Sequence, residues 1–308
     1  MKQVYGRGDI MIYKKSTGDK LFNAFNFIFM LLLIAITIYP LLYVVFASFS
    51  DPQMLLKHEG LLFGPLGKPT LKGYQLTFEN PNILLGYRNT IFYVVTGTFI
   101  NVFLTALGAY VVTRRYFMLK NILLVMITIT MFFGGGLIPL FFVVRTLKIY
   151  DTMLAIILPG AISSYNLIIM KTFLQGIPRS LEESAIIDGA DDWRIFYKII
   201  IPLSKPVIAV MTLFYGVGHW NSWFNAMVFL RNRKLFPLQL FLREILILNK
   251  SAVNETGTIT AEQMMEESYF KELVQYCTII VATLPILCIY PFLQKYFVQG
   301  VMIGAIKG

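Results

Sequence analysis

Charged side chains are scarce in this chain. Asp, Glu, Lys and Arg together make up 14% of its 308 residues, well below the roughly 25% of an ordinary soluble domain, which excludes a fold wetted by water on every side. Cysteine is nearly absent too. Cys277 and Cys288 both fall in the last apolar stretch, where they supply neither a disulfide framework nor a four-ligand metal spacing; they read as small apolar fillers. There is no Gly-x-x-x-x-Gly-Lys-Ser/Thr loop to cradle nucleotide phosphates, and Gly134-Gly135-Gly136 has neither the lysine nor the setting to replace one. The apolar stretches also lack a metal-ligand cluster or a pair of carboxylates, so membrane-embedded enzymology is disfavoured and no catalytic or metal-binding residue is expected.

What the chain has in abundance is apolar surface, 56% of its residues. Long runs at 25–47, 89–112, 121–144, 152–173, 206–230 and 273–294 each approach or exceed the ~20 residues a helix needs to cross the hydrocarbon layer. The expectation is an all-α membrane protein, a single transmembrane domain over 1–308 with six transmembrane helices. The first run is too long for the apolar part of a secretory signal and is followed by no small-residue cleavage pattern, so it reads as a retained span. With six crossings both ends share a side. Placing them inside puts 15 of the 27 Lys and Arg there against 12 outside. The short inner segments carry Lys14, Lys15, Lys20, Arg114, Arg115 and Lys120, as the positive-inside rule asks. Both termini and residues 174–205 are therefore placed in the cytoplasm. The net charge of +10 reads as retention signal and anionic-lipid contact, with no basic-aromatic motif for nucleic acid.

Two segments are expected outside. Residues 50–88 are interrupted by Gly60, Gly64, Pro65, Gly67 and Pro69, with a short helix near Tyr74–Phe78. Residues 231–272 open on Leu-Phe-Pro-Leu-Gln-Leu-Phe-Leu-Arg-Glu-Ile-Leu-Ile, which suits an interfacial helix resting its apolar side on the membrane. The polar remainder is either a solvated connector or a docking loop. Within the spans, polar groups are costly and turn toward protein or an aqueous path. Asn166, His219, Trp220, Asn221, Ser222, Trp223 and Asn225 are accordingly candidates for a translocation pathway. For Asn221, helix–helix hydrogen bonding stands beside solute contact, and for His219 a packing role stands beside either. The three glycines at 134–136 permit either close backbone approach or bending.

The cytoplasmic interruption is the most specific feature. Pro178 opens a helix, and Leu181, Ser184, Ala185 and Asp188 share one small or apolar side flanked by Glu182 and Glu183. Gly189 ends that helix or bends it closely against another surface. Trp193, Phe196, Ile199 and Ile200 then form a bulky stripe up to Pro202. The picture is two short helices lying across the membrane face, either as a stiff lever gripped by a partner or as a merely interfacial amphipathic pair.

Glu183-Ser184-Ala185, then Gly189, then Ile199, Ile201 and Pro202, resembles the EAA loop of ATP-binding cassette (ABC) importer permeases: Glu-Ala-Ala, three residues, Gly, nine residues, Ile, any residue, Leu-Pro. Ser184 and Ile201 are the departures. Asp188-Gly189-Ala190 and Leu203 are more particularly similar to the carbohydrate-uptake permeases of the MalG type, and within these to the LplC-like subgroup. So are Tyr39-Pro40, Ser48-Phe49-Ser50, Trp220-Asn221-Ser222-Trp223-Phe224, Lys295 to Gly300 and Gly304 to Gly308. The resemblance implies a type I ABC importer permease fold in a prokaryotic plasma membrane. It also implies a heterodimer with a second related permease, two cytoplasmic ATPase subunits that bind ATP and Mg, and an extracellular solute-binding lipoprotein. It carries Glu183, Ser184, Ala185, Asp188 and Gly189 over as contacts with an ATPase, with Pro202 marking the return to the membrane. The implied cargo is a carbohydrate, an oligosaccharide above all; another neutral polar solute is the alternative. An ion-coupled secondary transporter is poorly supplied, since apart from His219 the span interiors hold no residue that readily titrates.

Overall fold

The computed structural model describes residues 17–247 and 261–305, with side chains over 17–247 and 269–291. Lys14, Lys15, the polar run at 248–260 and the terminal Ile306-Lys307-Gly308 lie outside the described residues, as do the side chains of Lys295 to Gly300. Everything regular among the described residues is helical. Helix α1 (Thr17–Ser48) stands almost bare, with burial only at Ala47 and Ser48, and it meets the body where its C-terminal end packs on the last helix. Two short helices follow, α2 (Pro52–Lys57) and α3 (Lys72–Glu79); α3 coincides with the short helix expected near Tyr74–Phe78.

Helix α4 (Pro81–Thr113) is the central beam. Asn80 starts it by accepting from the Asn82 amide, with Pro81 in the first turn, and a single π-helical turn at Tyr93–Gly97 interrupts its regular spacing. Next come α5 (Lys120–Phe132), α6 (Leu137–Thr146), α7 (Leu154–Ile157) and α8 (Ser164–Leu174). The pair expected at the cytoplasmic interruption is α9 (Ser180–Ile187) and α10 (Asp192–Leu203). After it run α11 (Lys205–Trp220), α12 (Trp223–Phe229), α13 (Leu238–Leu246) and α14 (Ala261–Ala305).

Three helices are long and apolar enough to cross a bilayer unbroken: Thr17–Ser48, Pro81–Thr113 and Tyr269–Pro291 within α14. A fourth crossing is available if α10 and α11, bent by 82° at Ser204, count as one. The other expected stretches are apolar but not continuous. The third breaks at 133–136, where Gly136 takes φ +81, a conformation glycine adopts freely. A Cβ built on Gly134, Gly135 or Gly136 would meet nothing within 4 Å, so the glycines break a helix instead of letting two backbones touch. The fourth stretch breaks at Pro159-Gly160 and restarts where Ser163 caps α8, and the fifth breaks at Asn221-Ser222.

Broken backbone at membrane depth survives only where protein supplies the missing hydrogen bonds. Helices α4 and α11 do this for the fourth stretch. Asn101 Nδ2 donates to the Gly160 carbonyl at 2.5 Å, while the Ser163 amide donates to the Tyr215 hydroxyl at 3.0 Å, itself 2.7 Å from Thr105 Oγ1.

The expected interfacial helix is present as α13, but its apolar side does not rest on lipid. Leu238, Leu240, Phe241 and Leu242 are buried against the rest of the chain, each burial contributing about 2 kcal/mol relative to water. Gly86 is the reason the helix sits so close: a Cβ there would lie 2.9 Å from Leu238 Cα.

Candidate functional site

Helix α9 begins with Glu182 and Glu183 in its first turn, where acidic groups favour the helix dipole. It ends in a Schellman closure: the Gly189 amide donates to Ile186 O at 3.0 Å, the Ala190 amide to Ala185 O at 2.9 Å, and Gly189 has φ +77. Nothing lies within 4 Å of a Cβ built on Gly189. Glycine is thus required for its left-handed backbone, and the close neighbour expected there is not part of this chain's described residues. Asp191 then caps α10 by accepting from the Arg194 amide at 2.9 Å. A π-helical turn at Phe196–Ile200 leads into Pro202, whose missing N–H disturbs regular pairing one turn back.

The two faces of this pair differ sharply. Ile195, Phe196 and Ile200 are buried in one cluster with Ala106, Tyr110, Met170 and Met211, with Ala185 and Ala190 at its edge. The clamping stripe is therefore Ile195, Phe196 and Ile200, and Trp193 is 54% exposed and stacks on Tyr197 outside. On the far face of α9, Glu183, Ser184 and Asp188 are exposed beside Leu181, Ile186 and Ile187, the last 86% exposed. A small, partly apolar tip thus projects with no neighbour among the described residues.

Helix α4 ends against this pair. Arg114, just past Thr113, donates from both terminal nitrogens to Glu182 at 2.8 and 2.9 Å, and its guanidinium lies 3.7 Å over the Tyr110 ring. The Tyr110 hydroxyl donates to the Asp192 carbonyl at 3.1 Å. Sequence reasoning treated Arg114 only as an inner-side charge. The signal was available in the four-residue spacing of Tyr110 and Arg114, which stacks the two on one helix face. A mostly buried, two-pronged ion pair of this kind is worth about 2 kcal/mol, and the ring contact adds about 1 kcal/mol.

The pathway candidates are dispersed. Buried His219 donates from Nε2 to Asn101 Oδ1 at 2.7 Å, and a Cβ on Gly97 would strike its ring at 2.4 Å, which fits a packing role; Asn101 is the partner that sequence reasoning overlooked. Asn166 is buried in the first turn of α8. Asn221 is exposed and returns its amide to the Val217 carbonyl at 3.0 Å, while Ser222 bonds the His219 carbonyl. Trp223 is 38% exposed under the Arg243 guanidinium, and Asn225 is half-buried. Trp220 is buried edge-on to Tyr87 and is the one of these residues on the wall of a largely apolar cavity of about 810 Å³, lined also by Val95, Phe99, Phe103, Ile208 and Thr212. The indole N–H of Trp220 and the hydroxyl of Thr98, both on that wall, have no hydrogen-bond partner among the described residues.

Comparison with known proteins gives a consistent result. Residues 83–224 match the family described as binding-protein-dependent transport system inner membrane component. Protein LplC of Bacillus subtilis (strain 168) is 39% identical over 300 residues, covering 97% of this chain and 99% of that protein. The polygalacturonan/rhamnogalacturonan transport system permease protein YtcP of the same organism is 37% identical over 293 residues, 94% of this chain and 99% of that one. Among solved structures, a chain of a bacterial ABC transporter involved in the import of the acidic polysaccharide alginate superposes with a TM-score of 0.84 at 30% identity, covering 92% of this chain and 98% of that one.

Proposed function

The chain belongs to the family of binding-protein-dependent transport system inner membrane components, the permease subunits of ABC importers, and from that membership we propose that it carries an oligosaccharide inward. It is a multi-pass protein of the plasma membrane, a non-catalytic transport component of a carbohydrate-uptake system. The oligosaccharide reading is supported by what its relatives carry, a polygalacturonan/rhamnogalacturonan transport permease and a transporter involved in alginate import.

The observation that carries the mechanism is the α9–α10 pair. One face is anchored in the core through Ile195, Phe196 and Ile200, and the other presents Leu181, Ile186 and Ile187 to solvent. An apolar tip next to charged Glu183 and Asp188 fits a cleft in a soluble partner, which we take to be an ATPase subunit. Glu183, Ser184, Ala185, Asp188 and Gly189 form or shape that contact, and Pro202 precedes the turn into α11. The full assembly pairs this chain with a second related permease, two cytoplasmic ATPases that bind ATP and Mg, and an extracellular solute-binding lipoprotein.

Six crossings remain our reading of the topology, with both termini and the α9–α10 pair in the cytoplasm. The broken third, fourth and fifth stretches each cross as two shorter helices around a bend; α5 and α6 together provide 23 residues from their 13 and 10, about 35 Å at 1.5 Å per residue. Trp220 is the favoured pathway residue, since it reaches the cavity wall with a free indole N–H. The test is ATP hydrolysis by the complex reconstituted in lipid, with a panel of binding proteins loaded with oligosaccharides, monosaccharides and non-sugar polar solutes. Stimulation confined to an oligosaccharide supports the reading, and stimulation by a non-sugar alone contradicts it.

A further inference from the structure

We propose that Arg114, held between Tyr110 and Glu182, is the positioning residue that ties the ATPase-facing pair to helix α4, so that displacement of α9 is passed to the helix lining the cavity. The proposal rests on the importer reading above. Helix α9 has no fully buried side chain; Ala185, and Ala190 just past its end, pack at the core's edge, and the fork from Arg114 is a direct side-chain tie from α9 to the end of α4. The fork is geometrically strict: two nitrogens of one planar guanidinium meet the two oxygens of Glu182 at 2.8 and 2.9 Å. The same plane lies 3.7 Å over Tyr110, and its Nε is buried without a partner among the described residues.

Tyr110 holds the other half of the pair. Its hydroxyl bonds the Asp192 carbonyl at the start of α10, and its ring lies 5.1 Å from that of Phe196. One turn of α4, residues 110 and 114, therefore grips both α9 and α10. Above that turn the same helix contributes Val94, Thr98, Val102 and Ala106 to the cavity wall. A force on the exposed tip of α9 thus reaches the cavity through a single continuous helix. A lysine at 114 would keep the charge but lose the fork and the flat stack on the ring.

The test uses the whole complex in proteoliposomes with its loaded binding protein, and reads assembled complex, basal and stimulated ATP hydrolysis, and solute taken up per ATP hydrolysed. A merely structural role for Arg114 would lower the amount of assembled complex without altering uptake per ATP. We expect Arg114→Met to lower uptake per ATP at least tenfold in assembled complex, Arg114→Lys to lower it about threefold, and the exchange Arg114→Glu with Glu182→Arg to recover more than either single exchange alone. Wild-type uptake per ATP in assembled Arg114→Met overturns the proposal; should that variant not assemble, wild-type uptake per ATP in Arg114→Lys does so. Stimulation of the wild-type complex by loaded binding protein separately tests the importer reading, and its absence overturns both.

Discussion

The two ends of helix α4 are held in different ways. At the end that the proposed topology puts outside, the outer end, the bonds run to backbone: Asn89 Nδ2 donates to the carbonyls of Lys234 and Phe236 at 2.8 and 2.9 Å, the Tyr93 hydroxyl donates to Leu235 O at 2.7 Å, and the Leu238 amide donates to Thr90 Oγ1 at 2.8 Å. Asn89, Thr90 and Tyr93 are buried, so each broken bond strands a polar group away from water. At the inner end the tie to α9 is an ion pair that is mostly buried but keeps contact with water, with 18% and 24% of the two side chains accessible. The outer end is built to stay, whereas the inner end can yield at a cost near the 1–3 kcal/mol typical of coupling between sites.

That contrast is broken most severely by changes in the middle and at the outer end. Gly97→Ala places a methyl group into the His219 ring and displaces it from Asn101. It is expected to destabilise the subunit by about 3 kcal/mol, read as loss of assembled complex and a lowered thermal midpoint. Asn89→Ala strands the buried Phe236 carbonyl and the partly buried Lys234 carbonyl and is expected to cost about 2 kcal/mol, while uptake per ATP in the complex that does assemble stays at the wild-type value. Gly189→Ala meets no atom but forces a Cβ into φ +77, costing about 1 kcal/mol locally; its midpoint should barely move while stimulated ATP hydrolysis falls severalfold. Tyr110→Phe removes only the bond to Asp192 and should cost about 0.5–1 kcal/mol, with a twofold to threefold drop in uptake per ATP. A large stability loss from Tyr110→Phe, or a coupling loss from Asn89→Ala, would erase the difference between the two ends.

The α9–α10 pair was legible because its signals are local: a run of charge, a glycine needing positive φ, and spacing set by helix geometry. The membrane body was legible only in part. Hydropathy reports what lipid tolerates, and it is blind to whether a stretch is one helix; Pro159-Gly160, Gly134-Gly135-Gly136 and Asn221-Ser222 break three apolar runs without making them less apolar. The position of α13 was hidden for a similar reason. An amphipathic helix of that composition suits lipid or protein equally, and what decides is Gly86, Asn89 and Thr90 on a helix about 150 residues earlier in the chain. Likewise the pairing of Arg114 with Glu182 and of Asn101 with His219 joins positions 68 and 118 residues apart, beyond the reach of any periodicity.

The central claim is that the exposed tip of α9 is the surface an ATPase grips, and a cross-link tests it most directly. With Cys288, the exposed native thiol, changed to Ser, Ile187→Cys is treated in the assembled complex with a short bifunctional thiol-to-amine reagent, beside Phe63→Cys, a similarly exposed position that the proposed topology puts on the opposite side of the membrane from the α9–α10 pair. The account predicts a product joining this chain to the ATPase subunit from position 187 and none from position 63. Equal yields from the two positions, or a product from 63 alone, would contradict it.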